Sequence, residues 1–228
     1  MSTVPDIRPL SEKALVITFG PNIDPMVHAR VLDMADWLRA QPFPGFLAVV
    51  PAYVSLTLHI DPLLIRATWP GAGSPIRAVC SWLENKWPNL PQYPRQTIDP
   101  VDIPVYYGAE NGPDLNAVAA QTGLTENEVI RLHSETIYTV YMIGFLPGFP
   151  YLGILPPALE LPRRATPRVR VPAGSVAIAG QQTGIYPQAS PGGWHLIGRT
   201  DLQLFDPQRN PPALLAPGDR VRFVPSGP

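Results

Sequence analysis

The chain has 228 residues, of which 45% are hydrophobic and 15% charged, and its formal net charge is −1. This length predicts two modest domains, and the near-neutral charge leaves no basic field that would attract nucleic acid. The 31 prolines alternate with strand-like and helix-like segments, so they indicate rigid turns and not disorder.

The first part of the chain alternates between strand and helix patterns. A β-rich run covers residues 14–19, and Asp24 with Pro25 then provides an N-cap followed by a proline at the first helical position. From there apolar residues recur at helical spacing until Pro42, which predicts a helix.

Two further strands are predicted over residues 46–50 and 53–60, and the second of them alternates apolar and polar residues. Ser74 and Pro75 repeat the cap and proline signal, and the apolar stripe that follows predicts a second helix. The resulting β-α-β-β-α unit predicts a small sheet with both helices on one face, closed by a strand near residues 101–105.

The proline-rich stretch over residues 93–104 predicts the domain boundary, which we place between residues 94 and 95. Beyond it, Pro113 and Gly123 mark the start and the end of one short helix. Thr125 and Glu128 then form a capping box, which predicts the start of another helix.

From residue 138 onward the hydrophobic period switches to two. Short apolar runs separated by Gly/Pro-rich turns cover residues 138–143, 175–179, 202–205 and 220–224. This pattern is typical of a compact barrel or sandwich of antiparallel strands, which we predict for residues 95–228.

Three loop-like segments of this second part combine glycine, proline and aromatic residues, at 144–153, 162–187 and 190–200. Glycine permits tight turns and proline removes flexibility, so such segments can build a preformed pocket. The candidate ligand contacts are their aromatic rings: Phe149, Tyr151, Tyr186 and Trp194. The alternative is that these rings fill the ends of the barrel as ordinary core residues.

Gln181, Gln182 and Thr183 lie between two glycines and offer uncharged amide and hydroxyl groups. Such groups suit a neutral amide, ureide or lactam, since a glutamine side chain both donates and accepts hydrogen bonds. Turn glutamines that bond to nearby backbone are the alternative.

Four arginines within eight residues form the one concentrated positive patch of the sequence: Arg163, Arg164, Arg168 and Arg170. Guanidinium groups bind carboxylate or phosphate. Alternating arginines on an edge strand equally deter aggregation between sheets, so both roles stay open.

The usual signals of an autonomous enzyme are missing from the sequence. The single cysteine, Cys80, lies on a predicted apolar helix stripe, which indicates a buried thiol and excludes an internal disulfide. The histidines lack the spacing of a metal site, so no metal is expected, and no catalytic residue is assigned. Only His195, beside an aromatic ring in a glycine-rich segment, is a candidate acid or base.

The sequence also bounds location and nucleotide binding. No Gly-Lys pair occurs, which excludes a Walker A phosphate loop. No signal peptide is recognisable and no apolar run approaches the roughly 20 residues of a membrane span. A cytoplasmic protein with neither membrane nor nucleic acid as partner is therefore expected.

Long motifs of the chain resemble the carboxyltransferase C/D domain family. They include YMIGFLPGFPYLG at residues 141–153, PRRATPRVRVPAGSVAIAGQQTGIYP at 162–187 and SPGGWHLIGRT at 190–200. The family includes the B components of 5-oxoprolinases, kinase-inhibitor proteins of sporulating bacteria and chains called allophanate hydrolase subunit 1. The resemblance implies an α+β chain, with a ferredoxin-like α/β domain followed by a cyclophilin-like β-barrel domain.

The resemblance also implies a function. Family members of the 5-oxoprolinase type work with two further subunits, the C component and the A component, and the assembly uses ATP to open 5-oxoproline to glutamate. This chain would form half of the substrate groove with the C component, while ATP would be used by the assembly elsewhere. Two other functions stay open: an inhibitor of a histidine kinase's autophosphorylation, and a carboxyl-transfer subunit in urea or allophanate metabolism.

Chemical complementarity to the lactam gives the expected contacts. Arg168 or a neighbour would bind the carboxylate, and Gln181 and Gln182 would bind the lactam amide. The apolar edge of the lactam ring would lie against three aromatic rings: Phe149, Tyr151 and Trp194.

Overall fold

The computed structural model describes residues 5–71, 73–87 and 99–227. The chain divides into two compact units, Met1–Gln96 and Thr97–Pro228. The boundary that the sequence predicts between residues 94 and 95 lies outside the described residues. Within the described ranges, no helix has both the length and the apolar character needed to cross a membrane.

The first unit is a four-stranded sheet with three helices. Its elements are β1 (Asp6–Ser11), β2 (Ala14–Thr18), α1 (Pro25–Ala40), β3 (Phe46–Ala52), β4 (Ser55–Ile60), α2 (Pro62–Thr68) and α3 (Pro75–Lys86). The strand order is β1-β2-β4-β3, and each pair is antiparallel. Helix α1 packs on β3 and β4, and its buried side chains share one core with those of the sheet.

The helices of the first unit begin with one device, a capping side chain followed by proline. Asp24 accepts hydrogen bonds from the backbone N–H of Met26 and Val27 at 2.8 and 3.0 Å, and Ser74 caps α3 in the same way. Both helices predicted from these signals are confirmed. Helix α2 was not predicted, although Asp61 before Pro62 carries the same signal.

The second unit is a closed barrel with two helices and a separate ribbon. Its elements are β5 (Val101–Tyr107), α4 (Leu115–Thr122), α5 (Glu126–Glu135), β6 (Ile137–Ile143), β7 (Pro150–Gly153), β8 (Arg168–Val171), β9 (Ser175–Ala179), β10 (Gln182–Ile185), β11 (Ser190–Gly192), β12 (His195–Arg199) and β13 (Arg220–Pro225). Seven strands close the barrel in the order β10-β7-β6-β13-β5-β12-β9. Strands β8 and β11 pair with each other and form what we call the β8–β11 ribbon.

One strand predicted for this part of the chain is present but belongs to a different sheet, and another is absent. Residues 101–105 do not close the first sheet but belong to β5, which pairs in parallel with β13 and antiparallel with β12 inside the barrel. Residues 202–205 form no strand, and Phe205 makes only an isolated bridge with Ala213. The barrel closes without this run, and Leu204 packs into the barrel core instead.

Both helices predicted for this unit are present, and the end of α4 and the start of α5 lie where the sequence signals place them. Gly123 ends α4 in the left-handed conformation with φ of 71°. The capping box of α5 is present in both directions, with 2.8 Å from the Thr125 N–H to the Glu128 carboxylate and 3.3 Å for the return bond. Helix α4 starts at Leu115, two residues after the predicted proline, and Asp114 at its N-cap makes no capping bond.

Candidate functional site

Phe149 is the centre of a cluster of aromatic rings in the second unit. Its ring centroid lies 4.8 Å from that of Tyr151, 5.1 Å from Tyr186 and 5.8 Å from Trp194. The last two contacts are edge to face, and Phe149 is only 1% exposed. Contacts of this kind hold rings in fixed relative orientations. The four rings that the sequence singles out therefore form one rigid cluster.

This aromatic cluster packs on the outer face of the barrel wall. Along β9, the barrel core takes Val176 and Ile178, whereas Ala177 and Ala179 belong to the aromatic cluster. Successive strand residues face opposite sides of a sheet, so the two alanines face outward. Their small side chains leave room for the rings, which therefore do not fill the barrel interior.

The turn between β6 and β7 is fixed by its own backbone and presents Phe145. The Gly144 N–H donates to the Phe149 carbonyl at 3.1 Å, and the Phe149 N–H donates to the Leu146 carbonyl at 3.0 Å. Phe145 has φ of 67° and is 60% exposed, and its ring meets Phe149 edge to face at 5.6 Å. A positive φ is rare for a bulky residue, and strained residues of this kind cluster at functional sites.

The close packing of this turn requires one glycine in particular. Gly148 has φ of 78°, and a Cβ at this position would come within 2.8 Å of the Phe205 Cβ. The segment after β12 therefore supports the turn from behind. This contact explains why the residue at position 148 is glycine.

A pocket of about 250 Å³ lies over the aromatic cluster. The rings form one part of its lining: Phe145, Phe149, Tyr151, Tyr186 and Trp194. The β8–β11 ribbon and its flanking segments form the rest: Arg163, Pro167, Pro191, Gly192 and Gly193. A Cβ at Gly192 would overlap the hydroxyl of Tyr186, so the absence of a side chain there brings the two parts of the lining together.

The ionisable side chains of the described pocket lining are two phenols and one guanidinium. Burial raises the pKa of Tyr186, and this effect outweighs the opposing influence of Arg163 and of a hydrogen bond from the backbone N–H of Trp194. Burial also raises the pKa of Tyr151, again against Arg163. Both phenols are therefore protonated at neutral pH, and Arg163 supplies the positive charge of the pocket.

Asp114 holds the arginine-rich segment against the barrel. It is 3% exposed, and its carboxylate accepts hydrogen bonds from Arg164 at 2.7 Å, from Arg168 at 2.7 and 2.8 Å, and from the Leu196 N–H at 2.7 Å. Burial alone would raise the pKa of Asp114, but the bonds from Arg168 and Leu196 and the two positive charges lower it overall. The carboxylate therefore stays charged and fixes both guanidinium groups.

This arrangement decides which arginine faces the pocket. Both terminal nitrogens of Arg168 donate hydrogen bonds to Asp114, and Arg168 is not among the described residues that line the pocket. The backbone N–H of Arg164 donates to the Gly193 carbonyl at 2.8 Å, which places Arg163 on the ribbon side of the pocket. Sequence reasoning named Arg168 or a neighbour, and the neighbour that lines the pocket is Arg163.

The structure places Thr183 inside the barrel and away from the pocket. Its hydroxyl donates to the Ala177 carbonyl at 3.1 Å, so it accepts from Nε2 of His133 at 2.9 Å, and Nδ1 of His133 then accepts from the Tyr107 hydroxyl at 2.7 Å. Burial lowers the pKa of His133 to about 3, so this imidazole is neutral. The three side chains link α5 to the barrel strands.

The two glutamines lie at the end of β10 that is remote from Tyr186. Gln182 pairs with Gly153 and Ala179, four residues before Tyr186 along the chain. The side-chain amide of Gln181 donates to Glu160 at 3.3 Å. Neither glutamine is among the described residues of the pocket lining.

His195 and Cys80 are the remaining chemically reactive candidates. His195 is 5% exposed and its Nε2 bonds to the Pro162 carbonyl at 2.9 Å, which ties β12 to the segment before the ribbon. Burial, followed by the nearby Glu84, raises the pKa of the Cys80 thiol, which favours the unreactive protonated form. Among the described residues, no cluster of three or more His, Cys, Asp or Glu side chains is placed to hold a metal ion.

Comparison with known proteins shows what the chain is similar to. A family model described as carboxyltransferase domain, subdomain C and D, matches residues 5–215. The B component of the 5-oxoprolinase of Bacillus subtilis is 45% identical over 219 residues, which cover 96% of this chain and 91% of the relative. The protein of the same name from Escherichia coli O157:H7 is 43% identical over 220 residues, with coverages of 95% and 94%.

Solved structures give the same picture. The crystal structure of TTHA0988 is 42% identical with a TM-score of 0.80, and the match covers 95% of this chain but 40% of that chain. The chain therefore spans less than half the length of that protein. The urea carboxylase of Kluyveromyces lactis is 17% identical with a TM-score of 0.75, over 98% of this chain and 22% of the larger one. This last likeness is one of fold.

Proposed function

The chain belongs to the carboxyltransferase subdomain C and D family, and from this premise we propose that it is the B component of an ATP-dependent assembly that hydrolyses 5-oxoproline to glutamate. The observation that carries the proposal is the identity of 42 to 45% over nearly the full chain to three proteins named as this component of 5-oxoprolinase. The same membership leads us to propose a ferredoxin-like first domain and a cyclophilin-like barrel domain.

The pocket suits a small lactam that carries a carboxylate. The rings of Phe145 and Tyr151, packed on the buried rings of Phe149 and Trp194, provide an apolar surface for a flat five-membered ring. Arg163 is a cation at the rim, and a volume of about 250 Å³ leaves room for a ligand of this size. These features support a binding role for the pocket.

The lining of the pocket also supports a role within a larger assembly. The described lining residues include neither a carboxylate nor a thiol nor an imidazole. Groups that attack the lactam carbonyl or move its protons would come from a partner chain in this proposal. The partners we propose are homologues of the C and A components of 5-oxoprolinase, with the C component facing the pocket.

The length of TTHA0988 supports a partner. A domain similar to this chain makes up 40% of that protein, so there the domain is joined to further chain. Domains joined in one protein often correspond to separate chains that associate in another. In our proposal ATP is bound and used by the partner chains.

Reconstitution tests the proposed function. This chain and the homologues of the A and C components from the same organism are produced together, and ATP-dependent release of glutamate from 5-oxoproline is measured with each chain omitted in turn. The proposal expects release to require all three chains. Full activity without this chain would overturn it.

A further inference from the structure

The arginines of residues 163–170 divide into two kinds by their partners. Arg164 and Arg168 both bind Asp114, which is almost fully buried. Arg163 is exposed, lines the pocket and forms no ion pair with any described carboxylate. Within this segment, Arg163 is therefore the pocket residue whose guanidinium fork can bind an anion.

The charges around the pocket favour an anion. Two guanidinium groups next to the pocket, on Arg164 and Arg168, bind the single carboxylate of Asp114, and Arg163 adds a third guanidinium on the lining itself. The net charge of these four groups is therefore positive, and no acid is among the described lining residues. Charged groups next to an apolar wall interact more strongly than in open water, since less solvent screens them.

Tyr186 offers a second contact beside this guanidinium. Its hydroxyl lies against Gly192 on the ribbon side of the pocket, and Arg163 lines the same pocket. A protonated phenol can donate one hydrogen bond to an acceptor placed there. A carboxylate held by Arg163 would supply such an acceptor, because a carboxylate has several lone pairs to share.

We propose that Arg163 is the carboxylate-binding residue of this pocket and that Tyr186 donates a hydrogen bond to the same carboxylate. This inference rests on the proposed function, and it specifies that the pocket selects lactams bearing a carboxylate. The chain then holds the unreactive end of the substrate, with the ring against Phe145 and Tyr151. The lactam amide faces the pocket opening, where the partner chain acts on it.

The experiment compares two ligands and three forms of the full-length chain. The ligands are 5-oxoproline and 2-pyrrolidinone, which has the same lactam ring but no carboxylate. The forms are wild type, Arg163→Gln and the control Arg170→Gln, which removes an exposed arginine of the same segment that is not among the described lining residues. Binding is followed through the indole NMR signal of Trp194, and the dispersion of the amide signals checks that each form is folded.

The expected result is that 5-oxoproline shifts the Trp194 signal in wild type and Arg170→Gln, and that Arg163→Gln weakens its binding about 10- to 100-fold, the usual effect of losing a charged hydrogen bond. We expect 2-pyrrolidinone to bind no form at comparable concentrations. The inference is overturned if wild type shows no shift with 5-oxoproline, if Arg163→Gln binds it as wild type does, or if 2-pyrrolidinone binds equally well.

Kinetics in the reconstituted assembly separate this inference from the proposed function. An active wild-type assembly whose KM for 5-oxoproline is unchanged by Arg163→Gln overturns the role of Arg163 and leaves the function standing. An inactive wild-type assembly overturns the function. In that case the NMR titration alone decides whether this pocket binds carboxylates through Arg163.

Discussion

Asp114 and Arg168 are 54 positions apart in the sequence, yet they form a two-pronged ion pair with nitrogen to oxygen distances of 2.7 and 2.8 Å. Because Asp114 precedes α4 and Arg168 begins β8, this pair fastens the ribbon to the barrel beside the pocket. The pocket lining on that side therefore depends on a residue that does not touch the pocket.

Replacing the buried partner of this pair should destabilise the second unit. We expect Asp114→Asn to lower the free energy of unfolding by about 3 kcal/mol, because it leaves two half-buried guanidinium groups without their buried anion. Urea titration of the full chain, followed through the Trp194 indole signal, measures this, since Trp194 is the one tryptophan of Thr97–Pro228. Asp102→Asn is the control, because its pair with Arg222 is exposed and should matter little. Equal losses in the free energy of unfolding for Asp114→Asn and Asp102→Asn would contradict a stabilising role for the Asp114 ion pairs.

The buried imidazole of His133 should make stability depend on pH. Its pKa is about 3 in the folded protein and near 6.5 when exposed, so below pH 6.5 the unfolded chain binds a proton that the folded chain does not. Stability is therefore greatest above pH 6.5 and falls by about 1.4 kcal/mol for each pH unit below it. Urea titrations between pH 7 and pH 4 test this slope. His133→Asn should flatten it, and an unchanged slope in that variant would contradict this role of His133.

Asp114 should add a second acid transition at lower pH. Its pKa is lowered in the folded state, so its contribution to stability is present above the ordinary aspartate value and is lost as the pH falls through the lowered one. Comparison of wild type with Asp114→Asn below pH 4 isolates this contribution. The two proteins should converge in stability as Asp114 becomes protonated. A difference that stays constant would show that the charge is not what stabilises.

Two substitutions of Phe145 separate backbone strain from ring contacts. Phe145→Gly and Phe145→Ala both remove the ring, but only glycine adopts a φ of 67° without strain. We expect the glycine variant to be more stable than the alanine variant by about 1 kcal/mol. Both should weaken 5-oxoproline binding in the NMR titration, since each removes the same part of the pocket lining. Equal stabilities would mean that this turn is relaxed.

Neighbouring glycines give a matched test of the pocket shape. A Cβ at Gly192 would overlap the Tyr186 hydroxyl, whereas at Gly193 it would meet only Pro167 at 3.6 Å or more. We expect Gly192→Ala to displace Tyr186 and weaken 5-oxoproline binding about tenfold, with Gly193→Ala near wild type. The NMR titration measures both. Tighter binding to the Gly192 variant would contradict the shape we describe.

Local signals predicted the local structure well. The cap and proline pairs at Asp24 and Ser74 and the capping box at Thr125 each mark a helix, because the signal and its effect lie within one turn. The four candidate aromatic rings form one cluster because the segments that carry them are short and stiff. Strand β1 escaped prediction because most of its side chains are exposed, so it carries no apolar alternation.

Long-range partners could not be predicted from one sequence. The sequence around Arg163 and Arg168 does not show that Asp114, 54 positions before Arg168, binds Arg168 and not Arg163. Whether Thr183 faces the barrel interior or its outside could not be predicted either, since β10 has only four residues and one of them is glycine. The Thr183 hydroxyl bonds to the buried His133 of α5, and these two residues are far apart in the sequence.

The pairing of β5 with β13 has a consequence for biosynthesis. These are the first and last strands of the second unit, and they lie side by side from Val101–Val221 to Val105–Pro225. The barrel of a nascent chain cannot close until residue 225 has left the ribosome. The second unit therefore folds only after nearly all of its residues have been translated. Contacts this distant in sequence also slow folding, which leaves time for a chaperone or an assembling neighbour to meet the open form.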